Sequence, residues 1–151
     1  MPRSRRGFTL IEIMVVVAII ALLAALAIPT IFIQRSNARS AAFINDLRQS
    51  RAIFESFMLE NGTYPDDAGP GQIPSPMTSE LVKIHWTAPT PIGGQWDWDY
   101  QQFGVTAGVS VDSPDLNDTD MTKIDGRIDD GNLDTGLFQR RSGGFIFVIE
   151  P

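Results

Sequence analysis

Cysteine is absent from this chain, and histidine occurs once. Without cysteine there is no disulfide framework, no thiolate metal site and no cysteine nucleophile. The single histidine, His85, has no histidine partner for metal or acid–base work, and no serine lies in a glycine-flanked elbow. Ser110 and Ser113 have no histidine near them in sequence, so a hydrolase constellation is missing. Basic residues are also scarce: 12 Lys and Arg stand against 18 Asp and Glu, for a formal charge of −6. A general basic surface for nucleic acid is therefore excluded. At 151 residues the chain has room for one compact domain of roughly 90–100 residues beyond its N-terminal segment.

That segment is the most distinctive stretch present. Gly7-Phe8-Thr9-Leu10-Ile11-Glu12 leads into sixteen apolar residues from Ile13 to Ile28, followed by Pro29. From Phe8 to Ile33 the 26 residues are interrupted by only three polar side chains, Thr9, Glu12 and Thr30. As a helix this run is roughly 39 Å long, enough to cross a hydrocarbon layer of ~30 Å. A single span in lipid has to be helical, because its backbone must satisfy its own hydrogen bonds. Glu12 is the anomaly, since a carboxylate inside such a segment is costly and serves no purpose in a plain anchor. Snorkelling to the interface is the plain alternative for it.

The stretch Arg-Arg-Gly-Phe-Thr-Leu-Ile-Glu-Ile-Met-Val-Val-Val-Ala-Ile-Ile, closing on Ala-Ile-Pro, resembles the N-terminus of type IV pilins and type II secretion pseudopilins. The resemblance covers roughly Arg5 to Pro29 and matches at Gly7, Phe8, Glu12 and Pro29. It implies cleavage after Gly7 by a membrane-embedded prepilin peptidase and N-methylation of the new terminus on Phe8. It also implies a role for Glu12 in filament assembly, its charge meeting the N-terminal ammonium of a neighbouring copy. A charge buried in an apolar bundle is tolerable when so paired. Loss of the leader would remove Arg3, Arg5 and Arg6 and take the formal charge from −6 to −9.

Two other processing routes fit parts of the stretch. Ser4-Arg5-Arg6-Gly7-Phe8 matches the start of a twin-arginine signal, and Ala25-Leu26-Ala27 offers a small-residue cleavage site that would leave Ile28 as the first residue. Orientation by charge is undecided, because Arg35, Arg39, Arg48 and Arg51 follow the span while three arginines precede it. The pilin resemblance implies the N-terminus inside and the following domain outside.

From Thr30 to about Leu59 the pattern is amphipathic. Phe43, Leu47, Ser50, Phe54 and Phe57 recur at three- and four-residue steps and predict a helical face packed on the head. Asn61-Gly62 stops this helix, and Pro65 prevents its resumption. Pro29 inside it predicts a kink or a local melt. A proline-rich stretch from Pro65 to Pro91 follows, with a short helix from Thr78 to about Lys83. Trp96, Trp98 and Tyr100 alternate with Asp97 and Asp99, which predicts a strand with one buried face. Val105, Ala107, Val109 and Val111 predict its hairpin partner, turning near 101–104. The stretch from Asp112 to Asp134 is acidic, with a helix carrying Met121, Ile124 and Ile128, capped at Thr119/Asp120 and stopped at Gly131. A last hairpin pairs Leu137–Gln139 with Phe145–Ile149, the latter apolar on both faces and hence interior to the sheet.

The expected architecture is α+β: a long N-terminal transmembrane and amphipathic helix packed on a small antiparallel sheet of about four strands. Its parts are a leader (1–7), the transmembrane and assembly half of the helix (8–33), the amphipathic half (34–62) and a globular head (63–151). No catalytic residue is expected. Some pseudopilins hold calcium near the C-terminal part of the head, and oxygen-rich loops suit that ion. The spacing after Asp115 does not match an EF-hand loop, however, so no metal ligand is assigned and a solvated acidic face remains the other reading. The chain is thus expected to be a filament subunit, or alternatively a minor pilin or anchored binding module with an acidic, aromatic head. The expected partners are further copies of itself in a helical filament, prepilin peptidase, an inner-membrane assembly platform and the membrane. The head would be periplasmic before assembly.

Overall fold

The computed structural model describes residues 7–151, apart from the side chains of Thr78 and Ser79. The leader arginines expected to precede cleavage lie outside the described residues. The chain divides into two compact units, the first ending at Ala38 and the second running from Arg39 to Pro151. One helix, α1, covers Leu10–Asn61 and so contributes to both.

Within the first unit every described apolar side chain of α1 is exposed, apart from a half-buried Ala24. This half of α1 is long and apolar enough to cross a membrane. The helix continues through Pro29 without a break in its helical residues, and the hydroxyl of Thr30 donates to the Leu26 carbonyl at 3.1 Å. That bond sits one residue beyond the backbone bond that proline cannot make.

In the second unit the amphipathic face behaves as its spacing demands. Phe43, Ile44, Leu47, Ser50 and Phe54 are the buried residues of α1. Ser50 fills a small gap in the stripe, and its hydroxyl donates back to the Asp46 carbonyl at 2.8 Å, so its polar atom is satisfied within the helix. The helix ends at Asn61, where Gly62 takes φ 75° and its amide donates to the Met58 carbonyl at 2.8 Å. Only a residue without a Cβ adopts that left-handed closure cheaply.

After a five-residue helix, α2 (Thr78–Val82), come β1 (Gln95–Tyr100), β2 (Ala107–Asp112), α3 (Asp118–Ile128), β3 (Phe138–Arg141) and β4 (Gly144–Glu150). The strands form one antiparallel sheet in the order β1-β2-β4-β3, so the doubly apolar β4 is interior, as its sequence implied. Trp98 pairs with Val109, Val109 with Phe147, and Phe147 with Phe138, which sets one apolar row across all the strands. On this row α1 packs. Phe54 stacks on Trp98 with ring centroids 3.7 Å apart, and Phe43 stacks on Trp96 at 5.3 Å. Trp86 closes the cluster edge-on to Phe54 and donates its indole N–H to the Gln72 carbonyl at 2.7 Å. Trp98 donates to the Pro65 carbonyl at 3.1 Å, so the indoles of Trp86 and Trp98 are both satisfied by the proline-rich stretch.

Three expectations need correction. The alternation in β1 predicts one buried face, yet Asp97 and Asp99 are buried as well. They lie under Arg141, a partner 44 residues away that alternation within one strand cannot reveal. The cap of α3 is Asn117, not Thr119 or Asp120: its side chain accepts from the Asp120 amide at 3.0 Å. Its extended backbone, with ψ 167°, lets its short side chain turn back onto the first turn. Finally, α3 ends at Ile128, ahead of Gly131, with Asp129 as its last cap.

Candidate functional site

The expected processing site opens the described chain. Gly7 is exposed, and a Cβ built on it would meet nothing within 4 Å. It also lacks the left-handed backbone that would call for glycine. Neither crowding nor conformation therefore requires glycine there. Phe8 follows with 82% of its surface exposed, ahead of the first helical residue, Leu10.

Glu12 is not idle at this end. The Thr9 amide donates to Glu12 Oε2 at 2.7 Å, and the Thr9 hydroxyl donates to the same oxygen at 2.8 Å. In return the Glu12 amide donates to Thr9 Oγ1 at 3.3 Å. This is a complete capping box: two orphan amides at the start of a helix are satisfied by reciprocal side chains three residues apart. The sequence signal is Thr9-Leu-Ile-Glu12, a threonine followed three residues later by a glutamate. Glu12 thus has a local use within one copy, and its Oε1 makes no bond to Thr9.

A second constellation lies at the end of α3. Asp125, Asp129 and Asp130 bring one carboxylate oxygen each within 4.8 Å of one another. Asp129 accepts from the Leu137 amide, while Asp130 accepts from the Asn132 amide and the Thr135 hydroxyl, both at 2.8 Å. The loop is therefore folded around its own acids. Asp125 differs: it is fully buried, and neither of its oxygens has a hydrogen-bond partner. Burial, then the charges of Asp130 and Asp129, push its carboxyl above the usual range. The Thr135 hydroxyl and the Asn132 amide hold Asp130 below it. An orphaned buried carboxylate beside two more is a donor set that fits a hard, oxygen-seeking cation. The spacing of 125 and 129, one helical turn apart on one face, was the sequence signal; a search for an EF-hand pattern passes over it.

His85 is exposed and lies in neither constellation. The fold and the N-terminus together define an α+β protein with a prepilin-type start. Residues 2–28 match the Prokaryotic N-terminal methylation motif. The chain is 40% identical over 63 residues to the Type II secretion system core protein G of Pseudomonas aeruginosa, covering 42% of this chain and 44% of that one. It is 37% identical over 62 residues to the Type IV wide pilus major component PilA4 of Thermus thermophilus, covering 41% and 47%. The chain thus spans about half the length of these curated relatives. At 27% identity the likeness to core protein G of Pectobacterium carotovorum extends over 146 residues and 86% of each chain. No solved structure matches it. The N-terminal part of the chain is thus similar to type II secretion pseudopilins and type IV pilins. None of the three relatives is named as an enzyme.

Proposed function

We propose that this protein is a structural subunit of a type IV pilus-like or type II secretion pseudopilus filament. Prepilin peptidase cleaves it after Gly7 and methylates the new terminus on Phe8. Before assembly the span of α1 holds it in the inner membrane, with the head in the periplasm. An assembly platform then extracts it as the apolar helices of many copies bundle. The observation that carries this reading is the apolar half of α1, whose large side chains are all exposed. Such a surface needs lipid first, and other helices like it once it leaves lipid. The open space at Gly7 supports the same reading, because a glycine that the fold does not need suits recognition by a peptidase. Glu12 would offer its free oxygen to the ammonium of Phe8 on a neighbouring copy. Mass spectrometry of membrane-extracted protein tests the proposal. A mature chain starting at methylated Phe8 supports it, and one starting at Ile28 would replace it with a secreted soluble domain.

The orphaned carboxylate of Asp125 favours a second element, a resident calcium ion at the acidic loop. Asp125, Asp129 and Asp130 would hold it. The ion would neutralise three crowded acids and tie the end of α3 to the loop that leads into β3. Calorimetric titration of metal-stripped protein with calcium tests this; no heat of binding, with Asp125→Asn behaving as wild type, would remove it.

A further inference from the structure

The face of the sheet that carries Asp97 and Asp99 holds one buried cation among several acids. The Arg141 side chain, at the end of β3, is 5% exposed. Its Nη2 donates to Asp97 Oδ2 at 2.6 Å, its Nε lies 3.5 Å from Asp99 Oδ2, and its Nη1 lies 3.6 Å from Asp112 Oδ1. β1 thus supplies two acids, β2 supplies Asp112 and the Ser110 hydroxyl that donates to Asp99, and β3 supplies the guanidinium. β4 presents Ile146 and Val148 to this face by strand alternation. Asp67, which accepts from the Tyr100 amide at 3.0 Å, adds a further negative charge at its edge. One guanidinium therefore answers three carboxylates, two of them nearly as buried as itself.

The cover over this cluster is unusual. Phe103 lays its ring over the Arg141 guanidinium, 4.7 Å from centroid to carbon, while half of the residue stays exposed. It sits in the loop between β1 and β2, where Gln101, Phe103 and Gly104 take φ of 55°, 48° and 82°. A left-handed phenylalanine is strained backbone, which persists only where its surroundings hold it in place. Backbone bonds close the base of the loop, from Gln101 to Thr106, Val105 to Gln102 and Thr106 to Glu150; the stack of its tip on Arg141 couples it to the charges beneath.

We propose that Asp97, Asp99, Asp112 and Arg141, with Phe103 as cover, form a proton-controlled latch on the loop 101–106. With one proton on the buried Asp97–Asp99 pair, the remaining buried charge is matched by Arg141 while Asp112 keeps its contact with water, and the loop stays shut. With all three carboxylates ionised, the excess charge requires water. The strands are fixed by their ladders, so the loop is the part that lifts to admit it. Burial and the neighbouring Asp99 push the Asp97 carboxyl up to about 7 in spite of Arg141, and burial raises Asp99 as well. A raised carboxyl favours the folded, closed form at low pH. That contribution is lost as pH rises through about 7.

Hydrogen exchange of the full-length protein in detergent micelles, read by mass spectrometry and corrected for the intrinsic rate, tests the latch. Protection of 101–106 is expected to fall at least about tenfold, the factor carried by one unit of pKa, between about pH 5.5 and about pH 8.5. The ladder of 107–112 is expected to keep its protection. Asp97→Asn holds the loop protected at both values, and Phe103→Ala leaves it unprotected at both. Wild-type protection that does not change across this range overturns the proposal, as does an undiminished step in Asp97→Asn. Should Asp97→Asn fail to fold, the wild-type profile together with Phe103→Ala still decides.

Discussion

The two parts of α1 are one helix with opposite fates. Up to Ala38 it buries none of its large apolar side chains, while from Arg39 onward it supplies Phe43, Leu47 and Phe54 to a tight aromatic core. Both parts are rich in apolar residues, so hydrophobicity alone does not separate them. What separates them is distribution: the first part is apolar all round, the second on one stripe. A helix apolar all round has no side to turn to water and must find lipid or other helices. A striped helix is satisfied by one sheet. The same secondary structure would thus serve between copies in one part, on the function proposed here, and serves within one copy in the other.

The contrast can be broken at either end, and the largest effect is expected at Gly7. Gly7→Val should abolish processing, leaving full-length precursor in the membrane by mass spectrometry, while the melting of the head is unchanged. Next is Glu12→Ala, which should leave processing intact and strongly reduce filaments seen by electron microscopy. The capping box sharpens this test. Thr9→Ala removes the hydroxyl from the box but keeps the charge, so it should assemble far better than Glu12→Ala. Equal defects in the two would mean that Glu12 acts as a helix cap and nothing more.

On the buried side, Trp98→Ala should cost roughly 3–5 kcal/mol, read as a lowered midpoint of thermal unfolding. Its insertion in the membrane should be unaffected, since the exposed part of α1 is untouched. Calcium at about a hundred times its Kd should add roughly 2.7 kcal/mol, and Asp125→Asn should remove that gain without touching Phe8 methylation. The smallest effect is expected for Asn117→Ala, about 1 kcal/mol for a lost N-cap, confined to the head.

Long-range pairing marks the limit of what the residues declare on their own. The helix stripe, the stop at Gly62, both hairpins and the interior place of β4 are all visible in the chain, because each rests on periodicity or on a local turn. The burial of Asp97 and Asp99 is not visible, because their partner Arg141 comes from the opposite edge strand of the sheet. The Asn117 cap is hidden for a different reason: Thr119 and Asp120 are also capping residue types, and backbone direction makes the choice. At the candidate sites Gly7, Phe8 and Glu12 stand out by sequence, whereas Asp125 becomes distinctive only once its burial without a partner is seen.

The box at Thr9 and Glu12 has one further consequence. On the function proposed above, a subunit in the bilayer would have its acid clasped by its own threonine and could be stored there without a mate. Recruitment would then be a trade of partners rather than the rescue of a stranded charge, and an idle reservoir could persist until the machinery draws on it.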